Sequence, residues 1–130
     1  GGLGDSTELL VAGAVAARWA GQPAAAVELV ERAPAGGVAE VTAAAMGALV
    51  HAGQAEEALG LFAAVPDGQR VARLYAEAIE AHCALERWEA AEKVFKKMAQ
   101  RKVKPVPHVY FPLLAGPDTE RWVHTAQQAG

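Results

Sequence analysis

The chain has 130 residues, a formal net charge of −3 and a single cysteine, Cys83. One cysteine excludes an intrachain disulfide, and the net negative charge provides no overall attraction for phosphate. No apolar run reaches the roughly 18–20 residues that a membrane-spanning helix needs. The first residue is Gly1 rather than Met, so we take the chain to be a processed product or a piece of a longer protein.

The composition predicts helices. The chain contains 31 alanines, is 52% hydrophobic and is only 6% aromatic. Alanine is the best helix former and lets helices approach one another closely. Valine, isoleucine and threonine show no strand-like alternation. We therefore expect an all-α protein with enough apolar surface to bury a core.

Turn residues divide the chain into about eight short helices. The segment DSTE supplies cap residues for the first helix, with Asp5 and Glu8 spaced as in a capping box. Pro23 suits the first turn of the second helix, and Asp118 and Glu120 suit the start of the last. Breaks that contain glycine or proline fall at 21–23, 34–37, 53, 66–68, 104–107 and 116–117.

The helices recur in pairs with a regular period. Segments 19–30, 51–62 and 84–95 align with offsets of 32 and 33 residues, which indicates an internal repeat. One such pair cannot bury its own apolar face, so neighbouring pairs must stack. We place units at 7–38, 39–71 and 72–106 and a partial or capping unit at 107–130, all in one domain spanning 1–130.

Individual positions recur within the units. Gly21 and Gly53 occupy the same slot, which Glu86 fills in the third unit. Each second helix carries one apolar stripe at helical spacing, which in the third unit comprises Trp88, Ala91, Phe95 and Met98. The first helices carry matching stripes, namely Leu10/Ala14/Ala17, Thr42/Met46/Leu49 and Tyr75/Ile79/His82.

The third unit resembles the pentatricopeptide repeat (PPR). The segment YAEAIEAHCALERWEAAEKVFKKMAQRKVKPV matches it at Tyr75, Ile79, Cys83, Ala91, Phe95, Met98 and the terminal Lys104 and Pro105. The tetratricopeptide repeat is the runner-up, but the Phe–x–x–Met and Lys–Pro endings favour the first family. The resemblance implies a right-handed α-solenoid of about three and a half helix–turn–helix repeats. It also implies an organellar location.

Proteins of this family mostly bind RNA, and the resemblance implies which side chains would read it. One base is read by the fifth and the last residue of each repeat, where polar side chains are expected. Here the fifth residues are Val11, Ala43 and Ala76, and the last are Val38, Val71 and Val106. None of these side chains can hydrogen-bond a base edge, so RNA is a less favoured partner than another protein.

A basic stretch covers the third unit's second helix and the residues just after it. Residues 87–104 hold seven of the chain's 12 basic residues. One interpretation is a patch that binds a polyanion such as RNA or an acidic protein. The other is a solvated helix face, stabilised by Glu89–Lys93 and Glu92–Lys96 pairs. The candidate patch consists of Lys93, Lys96, Lys97, Arg101, Lys102 and Lys104.

The apolar first helix and two tryptophans predict contact with other protein subunits. The segment ELLVAGAVAARWA is apolar nearly all round, and tryptophan is enriched at interface anchors. The candidate partner-binding residues are Leu9, Leu10, Trp19 and Trp122. Because no metal-ligand spacing or catalytic motif is present, we expect no cofactor, no metal, no small-molecule substrate and no enzyme activity. The leading hypothesis is a non-catalytic scaffold, and the alternative is an RNA-binding protein that contacts the RNA backbone.

Overall fold

A computed structural model describes residues 6–129 of the chain. In that range the chain forms eight α-helices and no β-strand, which confirms the all-α fold class and fits a helical-repeat fold. None of these helices is long and apolar enough to cross a membrane. The helices are α1 Thr7–Ala20, α2 Pro23–Glu31, α3 Val38–His51, α4 Ala55–Ala64, α5 Ala72–Ala84, α6 Trp88–Gln100, α7 Tyr110–Leu114 and α8 Thr119–Ala129.

The helices form two rows. The odd-numbered helices pack on one another in chain order, α1 on α3, α3 on α5 and α5 on α7. We call them the inner row. Helices α2 and α4 each pack against the odd-numbered helices on either side of them. Helix α6 packs against α5, and α8 packs against α7. This is the contact pattern of stacked helical hairpins. The unit boundaries and the right-handed course of the array stay predictions.

Helix α3 is the centre of the inner row because its side chains are small. All nine residues of 41–49 are buried, which leaves this part of the helix with no solvated face. Ala43 and Ala45 have no exposed surface at all, and Gly47 has no side chain to hold a neighbour away. Four helices therefore pack around α3, namely α1, α2, α4 and α5. The sequence-predicted stripe residues Met46 and Leu49 belong to this core.

The far end of the array has a core of larger side chains. Tyr75, Ile79 and Met98 are fully buried there, together with Leu113 of α7. The Phe95 ring packs against the ring of Trp122 on α8, with the two centroids 5.0 Å apart. Aromatic packing of this kind replaces the alanine contacts of the first units and attaches the last two helices to α6.

The turn that joins the two helices of each unit is the same in all three units. Gly21, Gly53 and Glu86 have φ values of 70°, 82° and 57°, which is the left-handed region. In each turn the next residue donates its backbone N–H to a carbonyl five positions earlier, as in Gln54 to Leu49 at 2.8 Å. These are the hydrogen bonds of a Schellman motif, which ends a helix with a left-handed residue. The backbone thus repeats at the offsets found in the sequence.

The start of α1 is capped by Ser6, whose hydroxyl accepts a hydrogen bond from the backbone N–H of Leu9 at 3.3 Å. The capping box was predicted with Asp5, which lies outside the described residues. Glu8 is in the first turn of α1, where a negative charge is favoured by the helix dipole. Pro23 is the first residue of α2, as predicted.

We expect that Glu86→Gly raises the free energy of unfolding by about 0.5–1 kcal/mol, because glycine adopts positive φ without the steric cost that glutamate has. The matched reverse change, Gly53→Glu, should destabilise by a similar amount, since open space surrounds Gly53 and only its backbone angle opposes a side chain. Urea denaturation followed by circular dichroism measures both. A loss of stability in Glu86→Gly would show that the turn does not have this geometry.

Candidate functional site

Helix α1 presents an exposed apolar stripe, formed by Leu9, Ala12, Ala16 and Trp19. Leu9 is 49% exposed and Trp19 is 73% exposed, the largest exposure of any large apolar side chain in the described chain. The four residues follow the spacing i, i+3, i+7, i+10, so they share one face of the helix. We call this face the α1 stripe.

The α1 stripe is the face that the repeat leaves without a neighbour. Helix α3 has an inner-row helix on each side, α1 and α5, whereas α1 has only α3. The opposite face of α1 is occupied, because Leu10, Ala14 and Ala17 are buried there. A further helix placed on α1 would extend the same packing by one position.

The Trp19 side chain is held by two neighbours at the edge of the stripe. Its ring lies 5.8 Å from the ring of His51, at the end of α3. The Arg18 guanidinium lies 5.6 Å from its centroid, within reach of a cation–π interaction. These contacts orient a large apolar ring that remains mostly in solvent, which is the usual state of an interface anchor in a free protein.

Two of the four residues predicted to bind a partner are in the core. Leu10 is 2% exposed and Trp122 is 6% exposed, so neither presents a surface. Leu10 lies on the α3 side of α1, one residue away from the exposed stripe. Trp122 is turned inward by the amphipathic α8 and packs on Phe95, and the Arg121 guanidinium covers its ring at 4.8 Å. Of the four candidate partner-binding residues, only Leu9 and Trp19 are therefore at the surface.

Half of the predicted basic patch is already neutralised. Lys97 and Arg101 both contact the Asp67 carboxylate, at 3.2 Å and 3.0 Å. Lys96 contacts Glu92 at 3.1 Å, which is one of the two i,i+4 pairs predicted for a solvated face. Hydrogen bonds from Lys97 and Arg101 hold the pKa of Asp67 below its usual value. Asp67 belongs to the 3₁₀ turn between α4 and α5, so it joins the second unit to the third.

The other three cations of the patch are free within residues 6–129. Lys93, Lys102 and Lys104 are exposed and have no ion pair or hydrogen bond there. Lys102 lies two residues beyond the end of α6 and has a φ of 59°, which is the left-handed conformation. The basic surface that remains available is therefore smaller than the sequence indicated, and it surrounds the end of α6.

Other ion pairs also connect successive units on the outer side. Arg87 at the start of α6 pairs with Glu56 at the start of α4. Arg121 of α8 makes two hydrogen bonds to Glu92 of α6, at 2.9 Å and 2.7 Å. The hydrogen bond from Arg121 is the main reason that the pKa of Glu92 falls to about 2. Exposed pairs of this kind contribute roughly 0–1 kcal/mol each, so they align the units more than they stabilise them.

A groove of about 470 Å³ lies along the inner row. Its walls include Arg18 of α1, Arg73, Glu77 and Glu80 of α5, and Phe111 of α7, with Val106 and His108 at the connection to α7. The groove includes the last position of the third unit, Val106, where the family resemblance implies a base-reading side chain. It offers charged groups, the Phe111 ring and the His108 imidazole at that place, but no asparagine, serine or threonine side chain.

Glu77 is the unusual residue of this groove. It is only 4% exposed, and it makes no hydrogen bond and no ion pair with any residue of 6–129. Its carboxylate lies over Gly47, with both oxygens 3.5 Å from the point where a β-carbon would be. Burial, followed by the negative charge of Glu80, raises the pKa of Glu77 from 4.5 to about 7, against the opposing charges of Arg73 and Arg18.

Sequence reasoning placed Glu77 on the first helix of the third unit but missed its burial. The available signal was the repeat alignment, in which Glu77 occupies the slot held by Ala12 and Ala44. A charged residue at a slot that otherwise holds alanine on an inner-row helix is a candidate for a specific role. Asp67 was likewise treated only as a turn residue, because its partners on α6, Lys97 and Arg101, are about 30 positions away in the sequence.

Cys83 and the histidines do not form a chemical site in the described chain. Cys83 is 7% exposed, and burial raises the pKa of its thiol to about 11, so the reactive thiolate is scarce at neutral pH. Residues 6–129 contain no group of three or more potential metal ligands.

A family model matches one part of the chain. The model of the PPR repeat matches residues 78–103, which run from within α5 to three residues beyond the end of α6. The chain therefore carries a PPR repeat, in the unit where the sequence motifs predicted one. A search of curated proteins and a search of solved structures gave no match.

The buried Glu77 makes stability depend on pH. Because its pKa is about 7 in the folded state and near 4.5 when unfolded, its contribution to stability is complete below about pH 4.5 and is lost as the pH rises through 7. We expect Glu77→Gln to match the wild type near pH 4.5 and to be more stable by about 3 kcal/mol at pH 8. Urea denaturation across this pH range measures the difference.

The matched control for this prediction is Glu57→Gln, which removes an exposed carboxylate from α4. Its stability difference from the wild type should not grow between pH 4.5 and pH 8. If Glu77→Gln also showed a constant difference, the Glu77 carboxylate would have to be solvated or paired.

Proposed function

We propose that this chain, which carries a PPR repeat, is a non-catalytic protein-binding scaffold: a small accessory or structural subunit of a larger assembly. The observation that supports this most is the α1 stripe. A helix with one face packed and the other face apolar and exposed leaves apolar surface in water, which a partner would bury favourably.

The partner that fits this face is another α-helix. Inner-row helices pack side by side through alanine and glycine, and the α1 stripe offers Ala12 and Ala16 between the two larger residues, Leu9 and Trp19. Small residues in the middle allow a helix axis to come close, while the larger ones at each end fill the space beside it. Trp19 would be the anchor, since its ring is large, oriented and already partly desolvated.

Sequence-specific reading of RNA is less well supported. Ala43 and Ala76 at the implied base-reading positions are buried, and the side chains at all six such positions are apolar. Base edges are discriminated by hydrogen bonds, which these side chains cannot make. Catalysis is also disfavoured, because proteins of this repeat class generally bind rather than catalyse and the one thiol is buried with a raised pKa.

The organellar location is part of the proposal and rests on the PPR resemblance alone. PPR proteins are commonly organellar, and extract from mitochondria or chloroplasts is therefore the appropriate source in which to look for the partner.

The second candidate is backbone contact with RNA, and one observation favours it. Lys93, Lys102 and Lys104 are exposed and unpaired in the described chain, so they could neutralise phosphates. Such binding would be weak and strongly dependent on salt, because only a few phosphates would be contacted.

The test of the scaffold is a pull-down from organellar extract with the double variant Leu9→Asp/Trp19→Asp. We expect the captured partner to bind this variant at least about 30-fold more weakly, since charging the stripe removes its apolar anchor. The matched control is Ala24→Asp/Ala25→Asp, which adds two charges at exposed positions of α2 and should retain the partner.

One combination of results would reject the scaffold proposal in favour of RNA binding. If the double variant retained all protein partners, while the wild type bound single-stranded RNA with an affinity that falls steeply with salt, the scaffold proposal would be rejected. Charge reversal of Lys93, Lys102 and Lys104 would then abolish the RNA binding.

A further inference from the structure

The groove of the inner row contains a buried carboxyl group, that of Glu77, which forms no ion pair within the described chain. Glu77 is 4% exposed and has no hydrogen-bonding or ionic partner in residues 6–129. Buried polar groups in proteins are almost always paired, and an unpaired buried carboxylate is costly. Its position in the wall of an open groove of about 470 Å³ means that a ligand can reach it.

We propose that this groove binds a basic side chain, arginine or lysine, from a partner polypeptide, with the Glu77 carboxylate as its counter-charge. Glu80 lies one turn further along α5 in the same groove and would be the second acceptor. The Phe111 ring, which is 70% exposed, provides an aromatic face on which a guanidinium or ammonium group can lie. The site is separate from the α1 stripe, but both belong to the proposed binding role.

The groove favours a polypeptide over a free cation because it also contains an unsatisfied donor. The Nε of Arg18 is buried and has no hydrogen-bond acceptor. Arg18 Nη1 would lie 3.6 Å from a β-carbon at Gly47, the same point that the Glu77 oxygens approach to 3.5 Å. The two unpaired groups are thus neighbours. A peptide supplies a positive side chain for Glu77 and a backbone carbonyl for the Nη groups of the Arg18 guanidinium.

The other charges of the groove do not remove the need for a cation at Glu77. Arg73 is exposed and can be solvated by water, and the guanidinium of Arg18 lies beside the Trp19 ring. Neither arginine forms an ion pair with Glu77. The carboxylates of Glu77 and Glu80 also disfavour a nucleic-acid backbone in this groove, because they repel phosphate.

Binding would be coupled to release of a proton from Glu77. Its pKa of about 7 means that the carboxyl is partly protonated at neutral pH, and a cation binds only the ionised form. The charged and titratable groups of the groove are Arg18 on α1, Arg73 and Glu80 on α5, and His108 before α7, and on α3 the carboxylate faces Gly47, which carries no charge. Affinity for a basic side chain should therefore rise with pH.

The experiment uses a blocked pentapeptide, acetyl-Gly-Gly-Arg-Gly-Gly-amide, and a control peptide with citrulline, which has the shape of arginine without its charge. Binding to the whole chain is followed by NMR shifts of the backbone amides of residues 73–80. We expect the arginine peptide to bind about tenfold more tightly at pH 8 than at pH 6, since the ionised fraction of Glu77 rises by that factor. The citrulline peptide should not shift these amides.

Glu77→Gln should weaken binding of the arginine peptide by about tenfold or more at pH 8 and remove its pH dependence, because a charge-assisted hydrogen bond is lost. This variant is expected to be more stable than the wild type, so loss of binding would not reflect unfolding. Glu57→Gln should bind as the wild type does. Any pH dependence due to His108 would persist in Glu77→Gln, which separates the two groups.

Three results would overturn the proposal: equal binding of the arginine and citrulline peptides, unchanged binding by Glu77→Gln, or binding of a single-stranded RNA decamer that depends on Glu77. Leu9→Asp, which charges the α1 stripe and leaves Trp19 beside Arg18, should bind the arginine peptide normally. Failure of the α1 stripe and failure of the groove site can therefore be told apart.

Discussion

The close approach of the inner-row helices is the contact on which the rest of the structure depends. It is possible because α3 carries alanine and glycine at its contact positions, with Ala43 and Ala45 wholly buried. Short side chains bring α1 and α5 near enough to α3 that all of residues 41–49 leave water. The same packing creates the two features on which the proposed function and the proposed groove site rest. It leaves the outer face of α1 uncovered, and it places Gly47 beneath the carboxylate of Glu77.

The surface is consequently divided into parts with different chemistry. On the outer side, acidic residues of one unit pair with basic residues of the next, as Asp67 does with Lys97 and Arg101. Two of the six charges that looked like a polyanion site, Lys97 and Arg101, therefore hold units together. At the α1 end the exposed surface is apolar, and along the inner row it is a groove with an unpaired acid. Both of these surfaces fit the proposed binding of a protein, and the six implied base-reading positions carry only apolar side chains.

Much of the fold could be predicted because the same pattern of turn and apolar residues recurs in each repeat unit. The alignment of Gly21, Gly53 and Glu86 predicted equivalent positions, and all three have the left-handed conformation. The stripe residues on α3 and α5 were predicted as core because helical spacing determines which residues share a face. Trp122 was misjudged because amphipathicity alone does not say which neighbour an end helix meets. The Asp67 and Glu77 sites depend on contacts between units, which no local pattern contains.

Amide hydrogen exchange of the chain, alone and bound to its partner, tests the central claim most directly. The claim is that α3 is enclosed by its neighbours, while the α1 stripe is exposed and binds a helix of the partner. In the free chain, amides of α3 and α5 should exchange most slowly and those of α1 distinctly faster, because its packing is incomplete. On binding, protection should rise chiefly in α1. Equal protection of α1 and α3 in the free chain, or a partner that protects only the outer helices, would contradict the account.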